Sequence, residues 1–299
     1  AYQDFEVDNN GNLHLVYYNY AANYELDDVR YRFSGVGENG FNSSIPLGVV
    51  TDIMEPCDCC QPNLEIDING DVYIIYRNNE QNIRDAYIAL KRYGDENFSE
   101  YYQASDLQDF IGFCPSSGPS IDINNGEIAI AYTSYNHQNV YTGISSLESM
   151  NFSNYISANP AANSFQNYPY ILLDDNLHAV WVDQDGFDIF YGMRDLQTNT
   201  MINIQKINDD DMDSTQKDPI IYKNNDMLYS FWSDQRNGNY EIYFSKGVGA
   251  SIIPGDINQD SIIDILDIVL IINFILGQDY PITQEEIASD LNTDGTINI

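Results

Sequence analysis

The stretch LHLVYYN at residues 13–19 is the first of five similar apolar blocks, and their recurrence decides the fold. The others are VYIIYRN at 72–78, IAIAYTS at 128–134, LHAVWVD at 177–183 and LYSFWSD at 228–234. Successive blocks begin 59, 56, 49 and 51 residues apart. Because they are apolar almost throughout and rich in aromatic and branched residues, they predict strands that are buried on both faces.

Each block has the same neighbours along the chain. An extended segment and a turn precede it, as in FEVDNNGN (5–12) and LEIDINGD (64–71), and Asn-Gly favours a tight hairpin. An alternating strand such as VRYRF (29–33) follows, and a fourth segment closes most units, with ASII (250–253) as the candidate in the last one. Four antiparallel strands per unit of about 50 residues predict an all-β fold, the β-propeller. Five repeats within residues 1–253 predict a five-bladed propeller of four-stranded blades, with six blades as the alternative.

The charge balance limits the possible partners. The chain has 12 Lys+Arg against 46 Asp+Glu and a formal net charge of −34. Phosphate binding requires a basic surface, so we expect no nucleic-acid partner, and anionic membrane surfaces are excluded for the same reason. The longest apolar run, 262–276, is interrupted by Asp264, Asp267 and Asn273, so we also expect no membrane insertion.

The composition changes at Gly255, where oxygen-bearing side chains recur at the spacing of an EF-hand-type calcium loop. The first loop offers six candidate Ca²⁺ ligands: Asp256, Asn258, Asp260, the backbone carbonyl of Ile262, Asp264 and Asp267. The second offers five: Asp290, Asn292, Asp294, Thr296 and Asn298. The second loop is expected to be truncated, because Ile299 precedes its twelfth position. A helix is predicted over about 265–276, ending at Gly277.

This duplicated GD-x-N-x-D…D-x-x-D pattern resembles a dockerin over about 45 residues. The resemblance implies a small α-helical module at 254–299 that binds calcium and docks onto a cohesin partner. The alternative is a calcium site with a purely structural role. Ile265 and Leu266 stand where some cellulosomal dockerins have a Ser-Thr pair, which argues against a cohesin of the cellulosomal kind.

The four cysteines are Cys57, Cys59, Cys60 and Cys114. Both segments that carry them precede the first strand of a unit, so in a propeller they are expected to meet near the central channel. Two disulfides are the first interpretation for a secreted protein, and a bridge between the adjacent Cys59 and Cys60 is a variant of it. A thiolate site for copper or zinc and a reactive thiol are the alternatives.

The same region resembles secreted sialidase-like propellers of the BNR/neuraminidase superfamily. The matching residues lie at 57–62, 76–79, 84–85 and 114–119. The resemblance implies a bladed propeller, although many members of that branch carry the name by similarity only. It also implies a site with an arginine triad, a Tyr/Glu nucleophile pair and an Asp acid.

Four residues at strand ends or in loops are the candidates for such a site: Arg77, Arg84, Asp85 and Arg236. Asp183 and Asp234 occupy similar positions. The alternative is that the arginines pair with surplus carboxylates and that the aspartates cap turns. No Asp-box is intact, so the sequence does not establish catalysis.

Two functions follow, both for a secreted, extracellular or cell-surface protein of bacterial type. In the first, a propeller at 1–253 recognises or processes extracellular glycans and the tail at 254–299 attaches it to a cohesin-like or scaffold protein. If it is an enzyme, a glycoside hydrolase of sialidase-like type is expected. In the second, the chain is a non-enzymatic structural or adhesive subunit whose tail docks into a neighbouring copy and builds a surface layer or filament.

Overall fold

The structure is a computed structural model. It describes residues 3–19, 28–47, 55–57, 59–185, 187–210, 214–225, 227–248, 255–258, 262–278, 280–281, 285, 288–291 and 296–297. The chain divides into two compact units. One comprises residues 1–222 with 230–245, and the other comprises residues 223–229 with 246–299.

Five antiparallel sheets follow one another along the chain, and in each the strands are hydrogen-bonded in chain order. Blade 1 contains β1 (Gln3–Val7), β2 (Leu13–Asn19), β3 (Asp28–Ser34) and β4 (Ile45–Pro46). Blade 2 contains β5 (Asn63–Ile66), β6 (Val72–Arg77), β7 (Ala86–Lys91) and β8 (Glu100–Gln103). Blade 3 contains β9 (Ser120–Asn124), β10 (Glu127–Ser134), β11 (Asn139–Ser146) and β12 (Ile156–Ser157). Blade 4 contains β13 (Gln166–Leu173), β14 (Leu177–Asp183), β15 (Asp188–Asp195) and β16 (Thr200–Lys206).

Blade 5 has three strands among the described residues: β17 (Gln216–Asn224), β18 (Met227–Asp234) and β19 (Glu241–Val248). The expected fourth strand at 250–253 lies outside the described residues. The molecule is therefore a five-bladed antiparallel β-propeller, as the five repeats predicted, and the six-blade alternative is wrong.

The recurrent apolar blocks form the second strand of each blade. β6 and β14 are buried along their whole length, because each lies in a sheet that packs between two neighbouring blades. The core consists of layers between blades. One such layer joins Tyr73 and Ile75 of blade 2 to Ile121 and Ile130 of blade 3.

The first strands of the blades are linked to one another by side chains. Oδ2 of Asp4 accepts a hydrogen bond from Nδ2 of Asn63 (2.5 Å), and Oδ1 of Asn63 accepts one from the backbone N–H of Ile121 (2.7 Å). Oγ of Ser120 accepts one from the backbone N–H of Ile171 (3.2 Å). These links connect β1, β5, β9 and β13 in sequence, so they hold the inner strands of four blades side by side.

In the other unit the described helix is α1 (Ile265–Ile275), close to the predicted bounds. No helix in the described part of the chain is long and apolar enough to cross a membrane.

Candidate functional site

The first calcium loop of the tail is organised by the carboxylate of Asp267. Its Oδ1 accepts hydrogen bonds from the backbone N–H groups of Ile257 (2.8 Å) and Asn258 (3.1 Å), and its Oδ2 accepts one from Asp264 (2.8 Å). These backbone donors hold the pKa of the Asp267 carboxyl below its usual range. Asp267 is buried, so the loop is closed against the first turn of α1 by a carboxylate.

Asp264 begins the helix as its N-cap residue. Its Oδ1 accepts a hydrogen bond from the backbone N–H of Leu266 (2.8 Å), while Asp267 at the N3 position bonds back to Asp264, which completes a capping box. Positions 9 and 12 of the loop therefore coincide with the N-cap and N3 positions of the helix. The same two aspartates serve the loop and the helix start.

The oxygen donors of this loop fit a hard cation. Asp256 is buried with 3% of its surface exposed, and Asn258, Ile262 and Asp264 follow at the required intervals. The carboxylates of Asp256 and Asp264, the amide oxygen of Asn258 and the carbonyl of Ile262 would hold Ca²⁺. Asp267, predicted as the ligand at position 12, instead accepts backbone N–H groups with both carboxylate oxygens and so braces the loop. The ion, when bound, supplies positive charge that offsets the repulsion among these carboxylates.

The second loop is described only in part. Asp290 and Thr296 lie within the described residues. The other predicted ligands of this loop, Asn292, Asp294 and Asn298, lie outside them, as does Asp260 of the first loop. The backbone N–H of Gly255 donates to the carbonyl of Ala288 (2.9 Å), which ties the start of the first loop to the segment before the second.

Helix α1 presents a wide apolar surface to solvent. Ile265, Leu266 and Ile268 are 66%, 55% and 51% exposed, and Val269 and Ile272 continue the surface. A helix of this size normally buries its apolar face, and an exposed face of this kind indicates a binding surface.

In the propeller, Arg77 is buried and each nitrogen of its guanidinium donates to a backbone carbonyl. It donates to Ser117 O (3.2 Å), Arg84 O (2.8 Å) and Thr133 O (2.9 Å). Its cation also lies 5.8 Å from the centre of the Tyr135 ring. Arg77 therefore ties blade 2 to blade 3, and its guanidinium is not directed at an open pocket.

Arg84 is also buried, and it donates to the carbonyl of Ile111 (2.9 Å) and to Sγ of Cys57 (2.8 Å). Its neighbour Asp85 accepts hydrogen bonds from the backbone N–H groups of Gln108 (3.2 Å) and Asp109 (3.4 Å). Burial raises the pKa of the Asp85 carboxyl. Asp85 thus holds the loop that follows blade 2.

Arg236 lies on blade 5 and forms ion pairs. Its guanidinium contacts Asp234 and Asp209, each at 2.7 Å, and stacks over Tyr243 with its cation 4.1 Å from the ring centre. Asp234 also accepts the backbone N–H of Arg236 (2.9 Å), so it caps its turn. Only Arg77 and Arg84 of the sequence-predicted arginines meet through a direct contact, and Arg236 belongs to a separate blade.

The cysteines converge, as the repeat predicted. Cys59 and Cys114 form a disulfide, and Cys57 and Cys60 are free and buried. The interpretation as two disulfides and its variant, a Cys59–Cys60 bridge, are therefore wrong. Sγ of Cys57 lies 3.0 Å from Sγ of Cys60 and 3.6 Å from Sγ of Cys59. One disulfide and two thiols therefore share a single site with Arg84.

Sequence reasoning missed a set of carboxylates on the inner strands. Glu6 on β1, Glu65 on β5 and Asp122 on β9 occupy equivalent positions, opposite His14, Tyr73 and Ala129 of the second strands. Burial raises the pKa of Asp122 to about 7, and burial together with the charges of Asp122, Glu6 and Asp4 raises the pKa of Glu65 strongly. Burial and mutual repulsion therefore favour the protonated forms of these acids.

A signal for this set exists in the sequence. Each first strand carries one acidic residue between apolar neighbours, in FEV (5–7), LEI (64–66) and IDI (121–123). A strand alternates its faces, so a single acid between two apolar residues faces away from the layer that they join.

The propeller contains two concave regions that differ in size and position. The first is a cavity of about 80 Å³ where the inner strands of blades 2–5 begin, with Asn63, Ser120, Tyr170 and Asp218 among its lining residues. The second is a cleft of about 680 Å³ between blades 1 and 2, next to the hairpin turns at 8–12 and 67–71. Only the cleft has the volume that a small-molecule ligand needs.

The cleft contains His14, but the same arrangement recurs elsewhere. Nδ1 of His14 lies 2.7 Å from Tyr31 Oη and its Nε2 lies 3.4 Å from Asp8, while in blade 4 His178 lies 2.9 Å from Tyr191 Oη. His178 also contacts the turn aspartate of its own blade. A repeated Asp–His–Tyr unit in two blades indicates a role in hairpin structure.

Comparison with known proteins assigns the tail. Residues 254–299 match the family model of the dockerin type I domain. A search of curated proteins finds no match for the chain. The sialidase-like resemblance therefore rests on the sequence motifs alone.

Solved structures are similar to the propeller in fold. A protein of unknown function from Dyadobacter fermentans has a TM-score of 0.59 at 8% identity, over 82% of this chain and 76% of that one. An alpha-L-arabinanase from Penicillium chrysogenum, complexed with arabinobiose, has a TM-score of 0.53 at 11% identity, over 81% and 80%. Hydrazine synthase from Kuenenia stuttgartiensis has a TM-score of 0.53 at 10% identity, over 83% and 62%. At these identities the similarity concerns the fold.

Proposed function

We propose that the protein is a secreted subunit in which a calcium-dependent dockerin tail, residues 254–299, attaches a carbohydrate-active propeller, residues 1–253, to a cohesin-bearing scaffold. The match of the tail to the dockerin type I domain carries this proposal. The exposed apolar face of α1 supports it, because a docking helix needs an accessible apolar surface. Asp264 and Asp267 belong both to the calcium loop and to the start of α1. Calcium bound in the loop would therefore stabilise the docking helix, which explains why docking would require calcium.

Binding to a purified type I cohesin module tests the docking part. We expect calorimetry to show binding in calcium and none after EDTA treatment. The Asp264→Ala variant removes both a loop ligand and the N-cap, so it should weaken binding by about 10- to 100-fold. An exposed aspartate of the propeller, Asp95→Ala, is the matched control and should bind normally. Equal binding with and without calcium would contradict the proposal.

The inner-strand carboxylates support the carbohydrate-active part. Hydrolysis of a glycosidic bond uses one protonated and one ionised carboxyl group, and environments that separate their pKa values provide such a pair. Glu65 is a candidate general acid, since burial and the charges of the neighbouring acids raise its pKa strongly. Glu6 and Asp122 are its acidic neighbours. The sialidase-type arginine triad has less support, because Arg77 and Arg84 are occupied by backbone carbonyls and Cys57.

A turnover assay tests this part. The arabinanase of similar fold makes arabinan oligosaccharides the first substrates to try, followed by aryl glycosides and sialosides. We expect Glu65→Gln to abolish any hydrolysis, while Glu148→Gln, an exposed glutamate of blade 3, leaves it unchanged. Hydrolysis that persists in Glu65→Gln would remove Glu65 from the mechanism, and a lack of turnover on all substrates would favour a binding role.

The second function, a structural or adhesive subunit, is favoured by blade 5. On its strand β19, Ile242 and Phe244 are 73% and 60% exposed. Exposed apolar side chains of this kind can contact another chain. Sedimentation at increasing concentration separates the two functions. A self-associating subunit forms polymers without a cohesin, whereas the docking subunit stays monomeric.

A further inference from the structure

Four sulfur atoms and two buried guanidinium groups form one cluster at blade 2, which the proposed function does not use. Cys57 and Cys60 are 2% and 3% exposed, while Cys59 is half-buried and Cys114 is exposed. The cluster is rigidly held. The backbone N–H of Cys57 donates to Arg77 O (2.7 Å), and the segment that carries Cys59 packs so closely on the Cys114 loop that a Cβ at Gly118 would overlap Gln61 O.

The cluster places two buried cations beside a thiol that can become an anion. In the part of the chain that the structure describes, neither Arg77 nor Arg84 forms an ion pair with a carboxylate; Asp85 interacts with Arg77 only at longer range. Buried cations are normally paired with an anion. Nη1 of Arg84 donates to Sγ of Cys57 at 2.8 Å, so the Cys57 thiolate is the anion that the geometry offers.

The two free thiols differ in acidity because their surroundings differ. Hydrogen bonding with Cys60, together with the charges of Arg84 and Arg77, lowers the pKa of Cys57 to about 6. Desolvation raises the pKa of Cys60. Cys57 is therefore the nucleophile of the pair at neutral pH, and Cys60 retains its proton.

We propose that this cluster is a thiol–disulfide exchange site in which Sγ of Cys57 attacks Sγ of Cys59, 3.6 Å away, and expels Cys114. The Cys57–Cys59 bond forms, the Cys59–Cys114 bond breaks, and its electron pair leaves on the Cys114 sulfur. Cys60, 3.0 Å from Cys57, then loses its proton to solvent and attacks Cys57, which frees the Cys59 thiolate to take up a proton. One disulfide and two thiols are present before and after, so no outside oxidant or reductant is consumed.

The exchange moves the disulfide from a pair with one exposed member, Cys59–Cys114, to the buried pair Cys57–Cys60. Cys114 is the exposed member, so its thiolate is released at the surface. There it attacks a disulfide of another molecule, forms a mixed disulfide and releases that molecule's thiol. The ligand class is therefore an accessible disulfide, and the aromatic disulfide DTNB serves as the probe because its released thiolate is coloured.

The test follows the DTNB reaction of the full chain in calcium, with the labelled cysteine mapped by mass spectrometry after acid quenching. Label is expected on Cys114, at a rate that becomes independent of DTNB concentration when exchange limits it. Cys57→Ser should slow this reaction by at least about tenfold, because no other thiol is poised to attack Cys59. Arg84→Gln should slow it by about tenfold through a lower thiolate fraction at pH 6. Arg92→Gln, which removes an arginine that pairs with Asp71 and Glu100 in the same blade, is the control.

A second variant decides the matter if Cys57→Ser fails to fold. Cys60→Ser retains the attacking thiol but blocks the second step, so peptide mapping should find a Cys57–Cys59 disulfide and a free Cys114. Three results overturn the proposal. They are unchanged labelling of Cys114 in Cys57→Ser, a Cys60→Ser protein that contains only the Cys59–Cys114 disulfide, and purified protein whose thiols react only after a chelator removes bound copper or zinc.

Discussion

The second strands of the blades bury their apolar side chains, whereas the helix of the tail exposes its apolar side chains. In β14, Trp181 and every neighbour on the strand is buried, and the same holds for β6. In α1, Ile265, Leu266 and Ile268 are exposed, and the buried side chain is the carboxylate of Asp267. The propeller is thus held together by apolar layers, whereas the tail is organised around a polar residue.

This difference indicates what each region needs in order to fold. Apolar burial stabilises a blade without help, at about 25 cal/mol for each Å² removed from water. A loop whose closure depends on carboxylates is stabilised by hydrogen bonds and by the cation that offsets their repulsion. Its apolar residues are then left available for a partner. Substitutions and ligand removal should therefore affect the two regions differently.

The largest effect is expected in the propeller core. Trp181 stacks on Phe190 with ring centres 6.1 Å apart and packs among buried residues of blades 3 and 4. Trp181→Ala should lower the free energy of unfolding by about 3–5 kcal/mol, because it removes a large buried side chain and leaves a cavity. Urea unfolding, followed by circular dichroism, measures this.

Two further variants sharpen that test. Trp181→Phe should cost much less, since Nε1 of Trp181 has no hydrogen-bond partner among the described residues. Ile68→Ala, at a position that is 88% exposed, should leave stability unchanged. A large loss at Ile68, or none at Trp181, would contradict the division between a buried core and an exposed turn.

The second effect concerns calcium. At a free calcium concentration about 100 times the dissociation constant, binding stabilises the tail by about 2.7 kcal/mol, and EDTA removes that contribution. We expect EDTA to expose residues 254–299 to protease and to leave the propeller resistant. Asp267→Asn should reproduce part of the loss in the presence of calcium, because its amide cannot accept from the backbone N–H of Asp264 in the same way. Unchanged protease resistance after EDTA treatment would refute the calcium site.

The third effect is a pH dependence that originates in the carboxylates of the inner strands. The folded-state pKa of Asp122 is raised to about 7 from 3.8, so the folded protein holds more protons than the unfolded chain between these values. The associated stability is present at low pH and is lost as the pH rises through about 7. In a Cys57→Ser background, which removes the opposite contribution of the lowered Cys57 pKa, the free energy of unfolding should fall by about 2 kcal/mol between about pH 5 and about pH 8.

The double variant Glu65→Gln with Asp122→Asn checks the origin of that slope. In the same Cys57→Ser background it removes two acids with strongly raised pKa values, so its stability should change little over the same pH range. Asp8 has its pKa lowered to about 2, and its contribution is lost only in strong acid. A slope that persists in the double variant would assign the pH dependence to other groups.

The repeat made much of the fold predictable. LHLVYYN, read as a strand, is β2 to the residue, and the LHAVWVD block is β14. The period of about 50 residues predicted the blade count, and the spacing of aspartates predicted the helix start at 265. These features depend on local patterns that repeat along one stretch of chain.

The roles of the arginines depend on distant backbone and could not be read in the same way. Arg77 bonds to the carbonyls of Ser117 and Thr133, 40 and 56 residues away. A sequence shows charges but does not show which carbonyls lack a donor. The inner-strand acids were predictable in principle, because Glu65 interrupts an apolar strand. They were not predicted because site residues were expected only at strand ends and in loops.

The smallest stability effect is expected for Leu266→Ala in the tail. The same substitution in the propeller core, Leu64→Ala, is its comparison. Leu64 of β5 is 1% exposed and Leu266 of α1 is 55% exposed. Leu64→Ala should cost about 2–5 kcal/mol, whereas Leu266→Ala should change the free energy of unfolding by less than about 0.5 kcal/mol.

If the tail docks through the exposed face of α1, Leu266→Ala should still weaken cohesin binding measurably, and Leu64→Ala should not when the protein is folded. Urea unfolding and calorimetry on the same two variants separate stability from binding. A costly Leu266→Ala with unchanged binding would mean that the helix face packs within the chain and is not a docking surface.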